Sequence, residues 1–285
     1  MCGIVGLHLR EPSLEPRLGE LLTAMLGQVV ERGPDSAGVA VYGDPRLAPP
    51  GRTVVSMLGT SPAEVAEALP GTVAYDADAT TVVHADPAQV TAALPGARII
   101  GSGEGFAVLK GTGNPVALAD SFRLPSVTGW QGIGHTRMAT ESAVTPEGAH
   151  PFSVGPGQCL VHNGSFANHA TIRRELRARG VQFDSENDSE VGARFIAYHL
   201  EQGADLEKAL RLLCERFDGF YTLLVSTSDS FAVVRDAVAC KPALVAETDA
   251  WVAMASEYRA LDVLPGIENA RIFEPEPEEV YVWRR

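Results

Sequence analysis

The sequence predicts an α+β fold: two β-sheets with helices packed outside them, interrupted by a small α/β insertion. Three observations carry this. Five strand-like segments follow one another closely near the end of the chain (220–227, 230–235, 243–247, 250–255 and 279–283), as in a layered sheet. Helix-like segments at 169–179, 188–201 and 205–216 stand together just before them. From about 57 to 125 the texture changes to short elements with Pro or Gly at each join.

Taken in order, residues 3–9 read as a short strand. Residues 14–31 read as a helix, because Leu18, Leu21, Leu22, Met25, Leu26 and Val29 recur at helical spacing. Arg32-Gly33-Pro34-Asp35-Ser36 breaks that helix, and Ala37 to Tyr42 resume as a strand. The 57–125 insertion holds helix candidates at 62–68 and 87–94. Its strand candidates are 71–75, 80–84, 97–101 and 105–110, and it carries no motif with evident chemistry. Strands are expected at 131–137 and 158–163. Asp205 is the expected N-cap of the helix whose apolar face carries Leu206, Ala209, Leu210 and Leu213.

The chain has 285 residues, enough for one large domain or one with an insertion. Its 23 Lys+Arg against 36 Asp+Glu give a net charge of −13, which repels nucleic-acid phosphates and anionic lipid. No nucleic-acid or membrane partner is expected. No apolar run reaches the roughly 20 residues of a bilayer span, and Met1–His8 lacks the basic start and long apolar stretch of a signal peptide. A cytoplasmic location is the expectation. Cys159, Cys214 and Cys240 sit in apolar company and read as small buried hydrophobes. The four cysteines show no paired spacing of a zinc site, so no metal is expected.

Cys2 is different. If Met1 is removed, Cys2 carries a thiol and a free α-amine on adjacent carbons. Reference pKa values of about 8.5 and about 8 let the amine take the thiol proton near neutrality and return it to a leaving amine. No separate histidine is required.

Five motifs occur in order: Cys2-Gly3-Ile4-Val5-Gly6, Arg32-Gly33-Pro34-Asp35-Ser36, His135-Thr136-Arg137-Met138-Ala139-Thr140, His162-Asn163-Gly164 and Asn187-Asp188-Ser189-Glu190. The set resembles the class II glutamine amidotransferases, a branch of the N-terminal-nucleophile hydrolases. The domain occurs in glucosamine-6-phosphate synthase, amidophosphoribosyltransferase and glutamate synthase. The resemblance makes residues 2–285 one glutaminase domain containing the 57–125 insertion, and implies a four-layer αββα sandwich. It implies release of ammonia from glutamine through a Cys2 thioester, without a cofactor. It matches Asn163 and the Gly164 N–H to the oxyanion donors, Arg137 to the clamp on the α-carboxylate, Asp188 to the ammonium partner and Thr140 to a hydroxyl at the same end.

Each of these residues also has a plainer reading: a tight turn for Asn163-Gly164, a surface charge for Arg137, an N-cap for Asp188. Cys2 in the same set tips the balance. Arg32, Asp35 and Ser36 divide evenly between a simple turn and ordering of the pocket. His135 and His162 read as structural, and Ser256-Glu257 resembles a late motif that buttresses the site. Met138 departs from the aromatic residue of many members and Glu141 from the histidine of some, at positions that shape the loop over the glutamine.

No synthase region follows before Arg285. The chain resembles the separate amidotransferase subunits of glutamate-synthase-like complexes, including the small subunit of N-methylglutamate synthase, and that resemblance implies synthase subunits as partners. Two rivals are a stand-alone amidase for another amide and a non-catalytic regulatory subunit. Paired Arg137 and Asp188 disfavour the first, and retention of Cys2 with Asn163 and Gly164 disfavours the second.

Overall fold

The computed structural model describes residues 2–138 and 143–285. In chain order the elements are β1 (Gly3–Leu9), α1 (Leu18–Gln28), β2 (Ser36–Tyr42), β3 (Thr53–Leu58), α2 (Pro62–Ala68), β4 (Ala74–Ala77), β5 (Thr80–Val83) and α3 (Pro87–Ala93). Then come β6 (Arg98–Glu104), β7 (Phe106–Thr112), α4 (Pro115–Ser121), β8 (Gln131–Arg137), β9 (Cys159–Phe166), α5 (His169–Ala178), α6 (Asp188–Glu201) and α7 (Leu206–Arg216). The chain closes with β10 (Gly219–Ser226), β11 (Ser230–Arg235), β12 (Leu244–Glu247), β13 (Trp251–Ala255), α8 (Tyr258–Leu261), β14 (Arg271–Phe273) and β15 (Tyr281–Arg284).

Strand β1 is buried on both faces, and its alternation explains the layers. Val5, Leu7 and Leu9 join a core with Leu18, Leu22, Met25 and Leu26 of α1. Ile4 faces the other way, into a second core with Val161, Leu224, Phe231 and Met254. That second core lies between a seven-stranded sheet, β14-β12-β13-β1-β8-β2-β7, and a four-stranded sheet, β15-β11-β10-β9. A third core joins the outer face of the smaller sheet to α5, α6 and α7 through Ile172, Val191, Ile196, Leu210 and Leu213. Helix layer, sheet, sheet, helix layer is the expected αββα sandwich. At Gly6 the sheets come so close that a Cβ would lie 2.4 Å from Leu224 and 2.9 Å from Phe231.

The expected 14–31 helix is shorter, because Pro12 and Pro16 lack an N–H and hold residues 12–17 in a 3₁₀ turn. Asp205 caps α7 as read, its carboxylate accepting from Lys208 N at 2.8 Å. The 57–125 segment does not form one unit. The third sheet, β4-β5-β3-β6, starts earlier, at Thr53, and is complete by Glu104. Strand β7 instead pairs with β2 in the large sheet, and α4 packs against α1. The sequence missed this because β7, buried from Phe106 to Gly111, reads like its neighbours. The small sheet covers the free edge of β7: Ser56 Oγ accepts from Val108 N at 3.0 Å, and Thr80 Oγ1 accepts from Lys110 N at 2.9 Å.

Among the described residues, no helix is long and apolar enough to cross a membrane. Cys159 is buried and Cys214 partly so, but Cys240 is exposed, because its loop turns backbone carbonyls inward rather than side chains.

Candidate functional site

Three strand ends meet at one mouth of the inter-sheet seam. Cys2 precedes β1 in the same alternation as Ile4. Arg137 ends β8 in the alternation of Ile133, and Asn163 follows Cys159 and Val161 along β9. The first turn of α6 brings Asp188 to the same place. A cavity of about 320 Å³ is lined there by Cys2, Arg137, Asn163, Gly164, Asp188 and Lys241, among others.

Cys2 is half-buried, and its backbone carbonyl is held twice. Asn163 Nδ2 donates to it at 3.2 Å and Arg32 Nε at 3.0 Å. Arg32 is held in turn by Glu257, Nη1 to Oε1 at 2.9 Å. The neighbouring Ser256 Oγ accepts from Ile4 N at 2.9 Å, which fixes the first residues of β1. Burial works to raise the Glu257 carboxyl, but hydrogen bonding from Arg32 and the charges of Arg259 and Arg32 hold it below its ordinary value. Asp35 N donates to the Arg137 carbonyl at 3.1 Å, so the turn after α1 is fastened to β8.

Gly164 has φ +142, and a Cβ there would lie 2.0 Å from the Phe220 carbonyl oxygen of β10. Only glycine lets the backbones approach so closely. Arg137 is 7% exposed, and Nη1 donates to Ala143 O at 3.3 Å. Asp188 is not the N-cap. Asn187 takes that place, accepting from Ser189 N, which leaves Asp188 Oδ2 to accept from Phe166 N at 2.9 Å. The turn before it is set by buried Glu190, which accepts from Asp184 N at 2.8 Å and Ser185 N at 2.7 Å. Thr140 and Glu141 lie outside the described residues, and Met138 is 40% exposed at the rim.

Three buried imidazoles cluster at the cavity, where His150 and His162 line it and His135 packs against His150. His135 and His150 are 4.2 Å apart by ring centroids, and His162 Nδ1 is 2.8 Å from Ser189 Oγ. Burial pushes His135 down to about 3 and His162 down to about 4, and takes His150 well below its ordinary value. All three are neutral at pH 7 and pack against aromatic neighbours, and His162 is also tied to Ser189.

Sequence reasoning missed Lys241 and His150, which line the cavity but belong to none of the five motifs. The chemistry available is that of a thiol beside a side-chain amide and a bare backbone, with a guanidinium and a carboxylate facing the same space. That set suits a small zwitterion carrying an amide.

A family model described as a glutamine amidotransferase domain matches residues 135–263. The chain is 48% identical to the glutamine amidotransferase-like protein GlxB of Rhizobium meliloti, over 99% of this chain and 98% of that one. It is 30% identical to a putative glutamine amidotransferase of Methanothermobacter thermautotrophicus, over 99% of both. The solved structure of Bacillus subtilis glutamine phosphoribosylpyrophosphate amidotransferase superimposes over 99% of this chain with a TM-score of 0.64 and 20% identity. This chain spans 49% of that longer one.

Proposed function

The chain belongs to the class II glutamine amidotransferases, glutamine-hydrolysing enzymes, and we propose that its reaction centre is Cys2 freed of Met1. The α-amine accepts the thiol proton while sulfur attacks the side-chain amide carbon of glutamine. The oxyanion so formed is received by Asn163 Nδ2 and the Gly164 N–H, one such donor being typically worth ~2.7–4 kcal/mol of barrier. Collapse breaks the C–N bond, the α-ammonium returns the proton to the leaving ammonia, and water then hydrolyses the thioester to glutamate. Arg137 takes the α-carboxylate through its planar fork. Asp188 takes the α-ammonium with the oxygen that Phe166 leaves free, and Thr140 supplies a hydroxyl at that end.

The observation that carries this reading is the bond from Asn163 Nδ2 to the carbonyl of Cys2 itself, which ties the donor to the nucleophile. The amide has a second N–H to offer. The test is release of glutamate and ammonia by protein whose N-terminus is shown by intact mass to be Cys2, with asparagine and simple amides as comparison substrates. Equal turnover of simple amides would favour the stand-alone amidase.

Ammonia then passes, in this proposal, to a synthase subunit of glutamate-synthase-like or N-methylglutamate-synthase type in the cytoplasm. The support is the resemblance to separate amidotransferase subunits. Free ammonia is mostly protonated at neutral pH and lost to solvent, so hydrolysis without an acceptor is wasteful. Addition of the candidate synthase subunits with their acceptor should raise glutamine turnover. A chain that works at full rate alone and forms no complex would refute this step.

A further inference from the structure

The loop that ends at Lys241 is fixed from several sides. Asp236 Oδ1 accepts from Tyr221 N at 2.6 Å, and Oδ2 accepts from Val238 N at 2.8 Å and Ala239 N at 3.2 Å. Ala239 has φ +51, a left-handed conformation unfavourable for a residue with a Cβ. The Lys241 carbonyl accepts from both Thr222 Oγ1 and Arg235 Nη2, each at 3.0 Å. Backbone strain of this kind persists where the surroundings over-determine it.

What the loop positions is a cation. The Lys241 ammonium lies 5.0 Å from the centroid of the Phe220 ring, and among the described residues no carboxylate pairs with it. The strand register fixes its place. Thr222, which holds the Lys241 carbonyl, is opposite Asn163; Tyr221 is opposite Gly164; Phe220 is opposite Ser165. Lys241 therefore spans the stretch of β10 that backs Asn163 and Gly164. A neighbouring outer cavity of about 980 Å³ shares Arg137, Gly164 and Asp188, but Cys2, Asn163 and Lys241 line only the inner one. Lys241 thus lines the cavity that holds Cys2 and Asn163, with its ammonium over Phe220, a residue of the outer cavity's wall.

We infer that Lys241 is the cation of the γ end, favouring the negatively charged tetrahedral adduct and the product carboxylate over the neutral amide. This rests on the glutamine reading given above. When sulfur bonds to the amide carbon, the carbonyl electron pair moves to oxygen, and that charge returns as the γ-carboxylate of glutamate after hydrolysis. Lys241 exchanges no proton in either step. Its charge has one more negative charge to act on in those states than in the bound amide, which is the condition for raising kcat more than it tightens glutamine.

The experiment uses the full chain with Cys2 at its N-terminus and compares the parent with Lys241→Met, Lys241→Gln and Lys241→Arg. Turnover, glutamine KM and competitive inhibition by glutamate are measured, with thermal melting of each variant. Met and Gln should lower kcat about tenfold and weaken glutamate inhibition about tenfold, with glutamine KM within about twofold; Arg should keep most of both. Unchanged glutamate inhibition overturns the inference. So do a parallel rise of KM and the glutamate inhibition constant, which would put Lys241 at the α-carboxylate, and failure of both neutral variants to fold, which would make it structural. A parent that releases no glutamate from glutamine defeats the glutamine reading itself, whereas an active parent with unaffected variants defeats only the role of Lys241.

Discussion

Arg32 holds the backbone carbonyl of Cys2, Nε to oxygen 3.0 Å, although thirty residues separate them in the chain. Glu257 holds the other side of the guanidinium at 2.9 Å and also pairs with Arg259 at 2.6 Å. The nucleophile's own peptide group is thus anchored by a chain of three charged side chains that do not line the cavity.

Such an anchor orients Cys2 without binding glutamine. Glu257→Gln should therefore lower kcat by about tenfold and leave KM nearly unchanged, since misplacement of a reacting group by a fraction of an ångström is costly. Steady-state kinetics on glutamine checks it. A rise in KM at constant kcat would mean that the network shapes the substrate pocket instead.

Cys2→Ala should abolish glutamine hydrolysis with little loss of stability, because the residue precedes β1 and is only half-buried. Protein that retains Met1 should be equally inactive, since an amide nitrogen is no base. Activity assays paired with intact mass decide the matter. Full turnover with Met1 attached would exclude the N-terminal mechanism.

Arg137→Lys keeps the charge but loses the planar fork, and Asp188→Asn removes the charge that would face the ammonium. Each should raise glutamine KM strongly, by ~2–5 kcal/mol in apparent binding. Asp188→Asn can still accept from Phe166 N through its amide oxygen, so its fold should survive. Either variant binding glutamine like the parent would remove that residue from the clamp.

Much of this was legible because local chemistry and strand alternation agree. Gly3 to Leu9 alternates between two cores, α6 and α7 carry their caps in sequence, and Cys2, Asn163 and Asp188 sit in motifs that the fold brings to one seam. What was not legible depends on tertiary pairing. Nothing in Phe106–Thr112 says that it joins β2 and leaves the small sheet. Lys241 reaches the cavity only because Thr222 and Arg235 hold its carbonyl from another strand pair. The cap at α6 was read one residue late, since Asn and Asp are both good N-caps and only the backbone angles distinguish them.

Gly164→Ala should be destabilising and nearly inactive. The new Cβ would meet the Phe220 carbonyl at 2.0 Å, and β9 and β10 would have to separate where the N–H of residue 164 is needed. Replacing Gly203, which also has positive φ but has nothing within 4 Å, gives the control. It should lose about 1 kcal/mol of stability from backbone strain alone and keep its activity. Similar activity losses at both positions would show that strain, and not the approach of the strands, explains Gly164.

The buried histidines predict the acid behaviour of the fold. In the native state His135 titrates at about 3 and His162 at about 4, both lowered by burial, and His150 is lowered as well. In the unfolded chain each titrates near the ordinary value of about 6.5. Between about pH 6.5 and 4 the unfolded state therefore binds more protons, so stability rises with pH across that window. It is complete above pH 6.5 and falls as the pH drops below it, by about 1.4 kcal/mol per pH unit for each histidine once the unfolded side is fully protonated. Denaturant unfolding between pH 7 and 5, above the main carboxylate range, measures this slope. His135→Asn should flatten it by roughly one proton's worth. A parent whose stability is level from pH 7 to 5 would mean that these imidazoles are not held neutral by the fold.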